Sequence, residues 1–416
     1  MSDYLSITII GLAFIGLLFV ILEDVIHVNK AQTVLFFGTF SWLLLFIFSG
    51  HEANHELVME GLYENISEIA GLWLFLLAAM TFVVYLNKKG LIESLIYRFL
   101  PQQITERKLL FLIALFAFVF SSLADNITAT LISIALILSL KLDAKKTVRF
   151  ATVVVFAVNS GGVAMITGDV TTLMIFLQGK ASIVNLLMLS LPALLAVILL
   201  ATLLSFNLKD TLTIQRQKDS HEPVDVAIAF IFIFTILGTI ASNILFDIPP
   251  VLTFLFGLSI MFLVARAFGE DTENDPILNY IRQIEFDTLM FFLGILLLVG
   301  ALKEIHALES FVRIYDVMPV WIANYVMGIL SAIIDNVPLT AALLKSDVTM
   351  SMQEWLSLTY AVGVGGSMLI IGSAAGIVAM SKVEALTFMS YLKFFVLLFC
   401  AYTLGYGATM LMGTML

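Results

Sequence analysis

Cysteine and charge are both scarce in this chain. A single cysteine, Cys400, stands among 416 residues, which excludes an internal disulfide and a cysteine-based metal site. It lies in the last apolar run and reads as a small core residue. Charged residues make up only 12% of the chain, about half of what a soluble domain carries. The 31 acidic and 21 basic residues give a net charge of -10 spread through loops. No basic stripe is present, so no nucleic-acid partner is expected.

Apolar residues take the space. They make up 61% of the chain, with a mean hydropathy of +1.05. Runs of the roughly 20 apolar residues that a bilayer crossing needs occur at 4–22, 31–49, 69–86, 183–206, 224–246, 250–268, 286–302 and 386–412. The fold class is an all-α polytopic membrane protein with no soluble domain left over. The N-terminus, MSDYLSITII, has no basic n-region and no small-residue cleavage site, so the first run reads as a retained helix rather than a signal peptide.

Basic loops mark the cytoplasmic side. Lys88, Lys89, Arg98, Arg107 and Lys108 lie in 87–108, Lys141, Lys145, Lys146 and Arg149 in 141–149, and Lys209, Arg216 and Lys218 in 207–218. The acidic stretch 50–68 belongs outside. It contains HEANH at 51–55, formally the zincin pattern H-E-x-x-H with His51, Glu52 and His55, but it reads as a coincidence in a short acidic loop that lacks a third ligand. The segment 91–99 has one apolar face and is expected to lie along the cytoplasmic interface.

The apolar stretch 109–140 has basic loops at both ends, which a single crossing cannot satisfy. A re-entrant hairpin resolves the conflict, with arms at about 109–120 and 129–140 and a turn near Asp125. That turn, SSLADNITAT at 121–130, returns as SAIIDNVPLT at 331–340. Both read Ser, three residues, Asp-Asn, three residues, Thr, and 335 minus 125 gives an offset of 210, about half the chain. Glycines repeat too: Gly161, Gly162 and Gly168 match Gly365, Gly366 and Gly372 as Gly-Gly, five residues, Gly.

Two repeats are therefore expected. The first, 1–206, holds a hairpin at about 107–140 and a broken helix at about 147–178; 207–223 is a cytoplasmic linker. The second, 224–416, holds a hairpin at about 318–345 and a broken helix at about 354–381. Five crossings in each half invert the second repeat relative to the first and put both termini outside. Inverted repeats with discontinuous helices are the architecture of secondary transporters, whose site lies at the repeat interface near mid-membrane.

Asp125 and Asp335 would meet there. A carboxylate at that depth costs about 2.5–3.5 kcal/mol on insertion scales, so it is either protonated or paired with a cation. One pocket can then exchange a proton for a metal ion. The same residues are good helix caps, and the two roles can coexist. Asp169, followed by Thr171 and Thr172, is a third carboxylate beside a helix break. Asn159, Ser160, Ser367 and Ser373 are further oxygen donors, or small packing residues. Glu68, Glu285 and Asp287 stand at helix starts, where acids are usually solvated or complement the helix dipole; a proton-access role is open to Glu68.

These motifs resemble a known group. LADNITAT and IIDNVPLT, each followed by a Gly-rich break, look like the ion transporter superfamily; with NSGGVAMITGDVTT they resemble NhaD-type sodium/proton antiporters over nearly the whole chain. Related sodium-coupled dicarboxylate carriers have Ser-Asn-Thr tips, and here Asp replaces the Ser in both. The resemblance implies a secondary active antiporter, not an enzyme, that exchanges sodium or lithium for protons in a bacterial inner membrane and serves pH homeostasis. No organic cofactor is implied, and a homodimer is. It assigns cation binding to Asp125, Asn126, Asn159, Asp169, Thr171, Thr172, Ser331, Asp335, Asn336 and Ser373, and proton transfer to Asp125, Asp335, Asp169 and Glu68. Ser373 stands where an acid would match Asp169, so the two half-sites differ. The rival readings are an anion carrier of the same superfamily and, from HEANH, a membrane metalloprotease.

Overall fold

A computed structural model of the chain describes residues 3–21, 28–48, 52–92, 94, 101–206, 208–213, 222–268, 276–346 and 348–413. It is predominantly helical, and among the described residues seven helices are long and apolar enough to cross a membrane. In order, α1 is Asp3–Ile21, α2 Lys30–Phe48 and α3 Glu52–Lys88. A helical pair follows, α4 (Glu106–Leu123) and α5 (Asn126–Ser139), then a helix broken into α6 (Ala144–Gly162) and α7 (Val170–Leu177). The short α8 (Ile183–Met188) leads into α9 (Ser190–Ser205).

The same order then recurs. The helices are α10 (Pro223–Phe246), α11 (Pro250–Phe268), the short α12 (Pro276–Ile281), α13 (Phe286–Glu304) and α14 (Leu308–Val317). A second pair, α15 (Val320–Ser331) and α16 (Asn336–Leu344), precedes a second broken helix, α17 (Met352–Gly365) and α18 (Ala374–Lys382). The chain ends with α19 (Phe388–Leu392) and α20 (Phe395–Gly413), so the run expected at 386–412 is two helices rather than one.

Ion pairs define two ends. At the basic end a two-stranded antiparallel ribbon joins β1 (Gln103–Thr105), in the basic stretch 87–108, to β2 (Thr211–Thr213), in the expected linker 207–223. Lys146 Nζ reaches Glu106 Oε1 at 2.7 Å and Asp210 Oδ2 at 2.6 Å. The base of the first pair, the start of α6 and the end of α9 are thus tied together. Lys89 pairs with Asp225 at 3.0 Å, bringing α3 and α10 to the same end. At the acidic end Lys303 meets Glu64 at 3.3 Å and Lys345 meets Glu68 at 2.8 Å. The second pair therefore starts from the end opposite to the first.

α3 departs from expectation. The stretch 50–68 reads as a loop by its charges, yet it is helical from Glu52 onward. Glu56, Glu60 and Glu64 are exposed on one face while Val58, Asn65 and Ile69 are buried on the other, the spacing of an amphipathic helix. At 1.5 Å per residue its 37 residues span about 55 Å, well over a bilayer core. Glu68 thus sits inside a helix rather than opening one. Of HEANH, His51 lies outside the described residues. Of the expected interfacial segment, 93 and 95–99 also lie outside them.

The two broken helices form the centre: Phe150 through Gly162 and Trp355 through Gly365 are buried without interruption. α10 and α11 instead present Phe230, Phe234, Phe256 and Leu263 outward, as lipid-facing helices do. α2 and α13 run parallel and very close, because a Cβ on Gly38 would lie 2.6 Å from the Gly294 carbonyl. Trp42 Nε1 donates to Leu297 O at 2.9 Å along the same seam. Small residues permit such approach in lipid.

Candidate functional site

Each pair and each broken helix contains a second helix that starts in mid-structure, and each is capped by its own side chain. Asp125 Oδ1 accepts from Thr128 N at 2.8 Å and starts α5; Asp169 Oδ1 accepts from Thr171 N at 2.9 Å and starts α7. Asp335 Oδ1 accepts from Val337 N at 3.2 Å and starts α16; Ser373 Oγ accepts from Gly376 N at 3.3 Å and starts α18. All four caps line one cavity. Four helix N-termini aimed at one space carry partial positive charge and by themselves favour an anion. Here three of the four caps are carboxylates, which reverses the sign.

The hub is Asp169. Its Oδ2 accepts from Asn126 Nδ2 at 3.1 Å and from Asn336 Nδ2 at 3.0 Å, one amide from each tip. Its Oδ1 also accepts from the Thr171 hydroxyl at 3.0 Å. Across the cavity Asn159 Nδ2 donates to Ser373 Oγ at 2.9 Å, while Asn159 Oδ1 is buried and has no hydrogen-bond partner among the described residues.

The glycines make these contacts possible. A Cβ on Gly162 would come 2.6 Å from Asn126 Oδ1, and one on Gly168 would come 2.6 Å from Ser121 O. Gly372 stands the same way, its Cβ 2.5 Å from Ala332 O. Matched positions make matched bonds. Ser121 Oγ donates to Val158 O at 2.8 Å and Ser331 Oγ to Val362 O at 2.7 Å; Thr130 Oγ1 donates to Asn126 O and Thr340 Oγ1 to Asn336 O, both at 2.8 Å.

Comparison with known proteins agrees with this geometry. Residues 4–362 match a family model described as citrate transporter, CitMHS. The Na(+)/H(+) antiporter NhaD of Vibrio cholerae is 30% identical over 94% of this chain and 87% of its own length; that of Vibrio parahaemolyticus is 31% identical over 88% and 95%. The chain belongs to the family of NhaD-type antiporters. Sodium/proton antiporter 1 of Arabidopsis thaliana is more distant, 28% identical over 98% of this chain and 72% of its own. Membership of this family makes the chain a multi-pass membrane transport protein.

Of the residues expected from the family's motifs, Asp125, Asn126, Asn159, Asp169, Asp335, Asn336 and Ser373 line the cavity. Thr171 stands behind Asp169, and Thr172 Oγ1 donates to Gly162 O at 3.3 Å. Ser331 is buried against Val362 and does not line the cavity. Glu68 is not brought to it either: its Oε2 is held by Lys345 and its Oε1 accepts from Gln178 Nε2 at 2.8 Å, at the acidic end. Among the described residues no group of three or more His, Cys, Asp or Glu is close enough to hold a metal. Asp125, Asp169 and Asp335 therefore share a cavity without closing on one point.

Lys30 and Thr288, which the motifs do not mark, also line the cavity. Lys30 Nζ lies 5.3 Å from the centre of the Phe291 ring, and its neighbour Asn29 donates to Asp287 Oδ2 at 3.2 Å. The only sequence signal for Lys30 is its solitary position at the head of an apolar run, away from the basic clusters.

Proposed function

We propose that the chain exchanges sodium or lithium for protons at this cavity. One observation carries the reading: amides from both tips converge on one oxygen of Asp169 while Asp125 and Asp335 face the same space. The charged residues lining the cavity are Asp125, Asp169, Asp335 and Lys30. When all are ionised their sum is -3 plus 1, or -2, which repels an anionic substrate and retains a cation or protons. Sodium is a hard ion that prefers oxygen, and the aspartates, Asn159 Oδ1 and Ser373 Oγ supply it. No enzymatic step and no organic cofactor enters this scheme.

The basic end is cytoplasmic by the positive-inside rule, and the membrane is the bacterial inner membrane. The two halves, 1–206 and 224–416, act as inverted repeats whose helical pairs enter and leave from the same face. Support comes from the matched hydrogen bonds and from the opposite ends at which the two pairs are based. Both termini are then outside: Gln353 Nε2, beside the second pair, donates to Met410 O near the end of α20 at 3.3 Å. Expulsion of sodium under alkaline conditions is the corresponding physiological task.

The test is dequenching of a pH-sensitive dye in everted vesicles on adding sodium, lithium, potassium or a dicarboxylate. Wild type should respond to sodium and lithium and not to dicarboxylate. Asp125→Asn and Asp335→Asn should each lose most of the response at wild-type protein levels. Wild-type-like exchange in both variants would end this reading.

A further inference from the structure

The helices that line the central cavity also line a second one. Leu76 of α3, Val170 of α7, Phe292 of α13 and Val337 of α16 face the central cavity. Leu72, Met174, Leu296 and Ala341 face another, nearer the acidic end. Each of these residues is four positions from its counterpart on the same helix, toward the acidic end, or about 6 Å along the axis. The two spaces are thus stacked along the same helices, about one helical turn apart, and these eight facing side chains form an apolar layer between them.

The far section carries its own polar set. Lys345 Nζ sits 2.8 Å from Glu68 Oε2 and Gln178 Nε2 donates to Glu68 Oε1 at 2.8 Å. The Lys345 side chain is only 8% exposed. Lys345 is the C-cap of α16 and Gln178 the C-cap of α7. These are the helices whose other ends present Asn336 and Asp169 to the central cavity. One carboxylate on α3 therefore fastens the far ends of two of the helices that start at the hub. A cation at the C-terminus of α16 is also in a favourable place for the helix dipole.

We propose that the second cavity is the acidic-end half of the transport path, and that Lys345, Glu68 and Gln178 form the latch that shuts it. In the shut form the ammonium of Lys345 occupies the position that a travelling cation takes beside Glu68. Release of Lys345 and Gln178 lets α7 and α16 part from α3, separates the apolar layer, and exposes Glu68 to the passing ion. Lys345 and Gln178 are positioning residues in this scheme. The proposal rests on the reading of the protein as a cation exchanger, but its test does not depend on the cargo.

Gly71 lines the second cavity, and a Cβ there would meet nothing within 4 Å. A Gly71→Cys reporter in a Cys400→Ser background is therefore sterically silent. Labelling with a membrane-impermeant methanethiosulfonate should be slow from either face. Lys345→Gln, and separately Gln178→Ala, should accelerate it at least about tenfold from the acidic-end face only. The charge exchange Glu68→Lys with Lys345→Glu should restore slow labelling. Equal labelling in all these backgrounds, or acceleration from the basic-end face, overturns the latch. Unchanged labelling beside normal sodium-driven exchange removes the latch alone; correct labelling without sodium-driven exchange removes the cargo alone.

Discussion

Asp169→Asn keeps the volume of the hub side chain, removes its charge and turns one acceptor into a donor. The new amide has two orientations. With Nδ2 toward the tips, it faces the Asn126 and Asn336 amide groups now at 3.1 and 3.0 Å, donor against donor. Two hydrogen bonds to a charged group, about 1.5–3 kcal/mol each, are lost, or about 3–6 kcal/mol in all. With Nδ2 toward Thr171, the tip bonds survive as neutral ones of about 0.5–1.5 kcal/mol each. The cap on α7 then fails at a further cost of about 1 kcal/mol. The second orientation is cheaper and prevails, leaving the tie between the tips weaker by about 2–3 kcal/mol. That is about a 30- to 150-fold loss of coupling, on top of a cavity sum reduced from -2 to -1. A sodium titration of dye dequenching in everted vesicles reads this as a fall in apparent sodium affinity of at least that order. Unchanged half-saturating sodium and unchanged rate, in Asp169→Asn present at wild-type levels, would refute the placement of Asp169 at the centre of exchange.

Gly162→Ala should displace the first tip, because the added methyl would lie 2.6 Å from Asn126 Oδ1 and 3.1 Å from Asp169 Cβ; a loss of about 1–3 kcal/mol in thermal stability and of sodium-driven exchange is expected. Ser121→Ala and Ser331→Ala each remove a buried hydrogen bond worth about 1 kcal/mol. The first should impair exchange more, since Ser121 Oγ also lies 2.7 Å from Asn126 Oδ1, and a kinetic comparison at matched expression decides it. Hydrogen bonds donated to Asp210 and then to Glu106 hold the Lys146 ammonium above the ordinary lysine range. A raised lysine value stabilises fully below about pH 10.4 and fades as pH rises through the folded-state value. Thermal unfolding of wild type should therefore show a strongly alkaline decline that is absent in Lys146→Met, and an identical profile in both would count against the tie.

The local parts of this structure are written in short stretches of sequence. The hairpin turns and helix breaks follow from Asp, Asn and Gly at fixed spacing, because caps and close backbone approaches are decided by neighbours a few positions away. What escaped is long-range. Nothing within GDVTT distinguishes a residue that caps α7 from one that also receives Asn336, 167 positions away. Lys30 is a site residue only because α2 lies along α13. The helix at 52–68 was hidden by its charge, although Val58, Asn65, Ile69 and Leu72, all buried, already trace a helical stripe. Glu68 was expected at a helix start with a proton-access role open to it, and its partner Lys345 lies in the other half of the chain.

Asp169 has no vacant lone pair. Each carboxylate oxygen offers about two acceptor positions, and all four are engaged, two by Thr171 and one by each tip asparagine. A proton or an alkali ion can reach this side chain only if one of those four donors lets go. Two of those donors are the sole direct side-chain bonds from the tips to the hub among the described residues, and only the one from Asn336 comes from the other half of the chain. An occupant that takes the place of Asn336 at Asp169 therefore unfastens the second tip from the hub, so that loading by that route and release of the tip are one act.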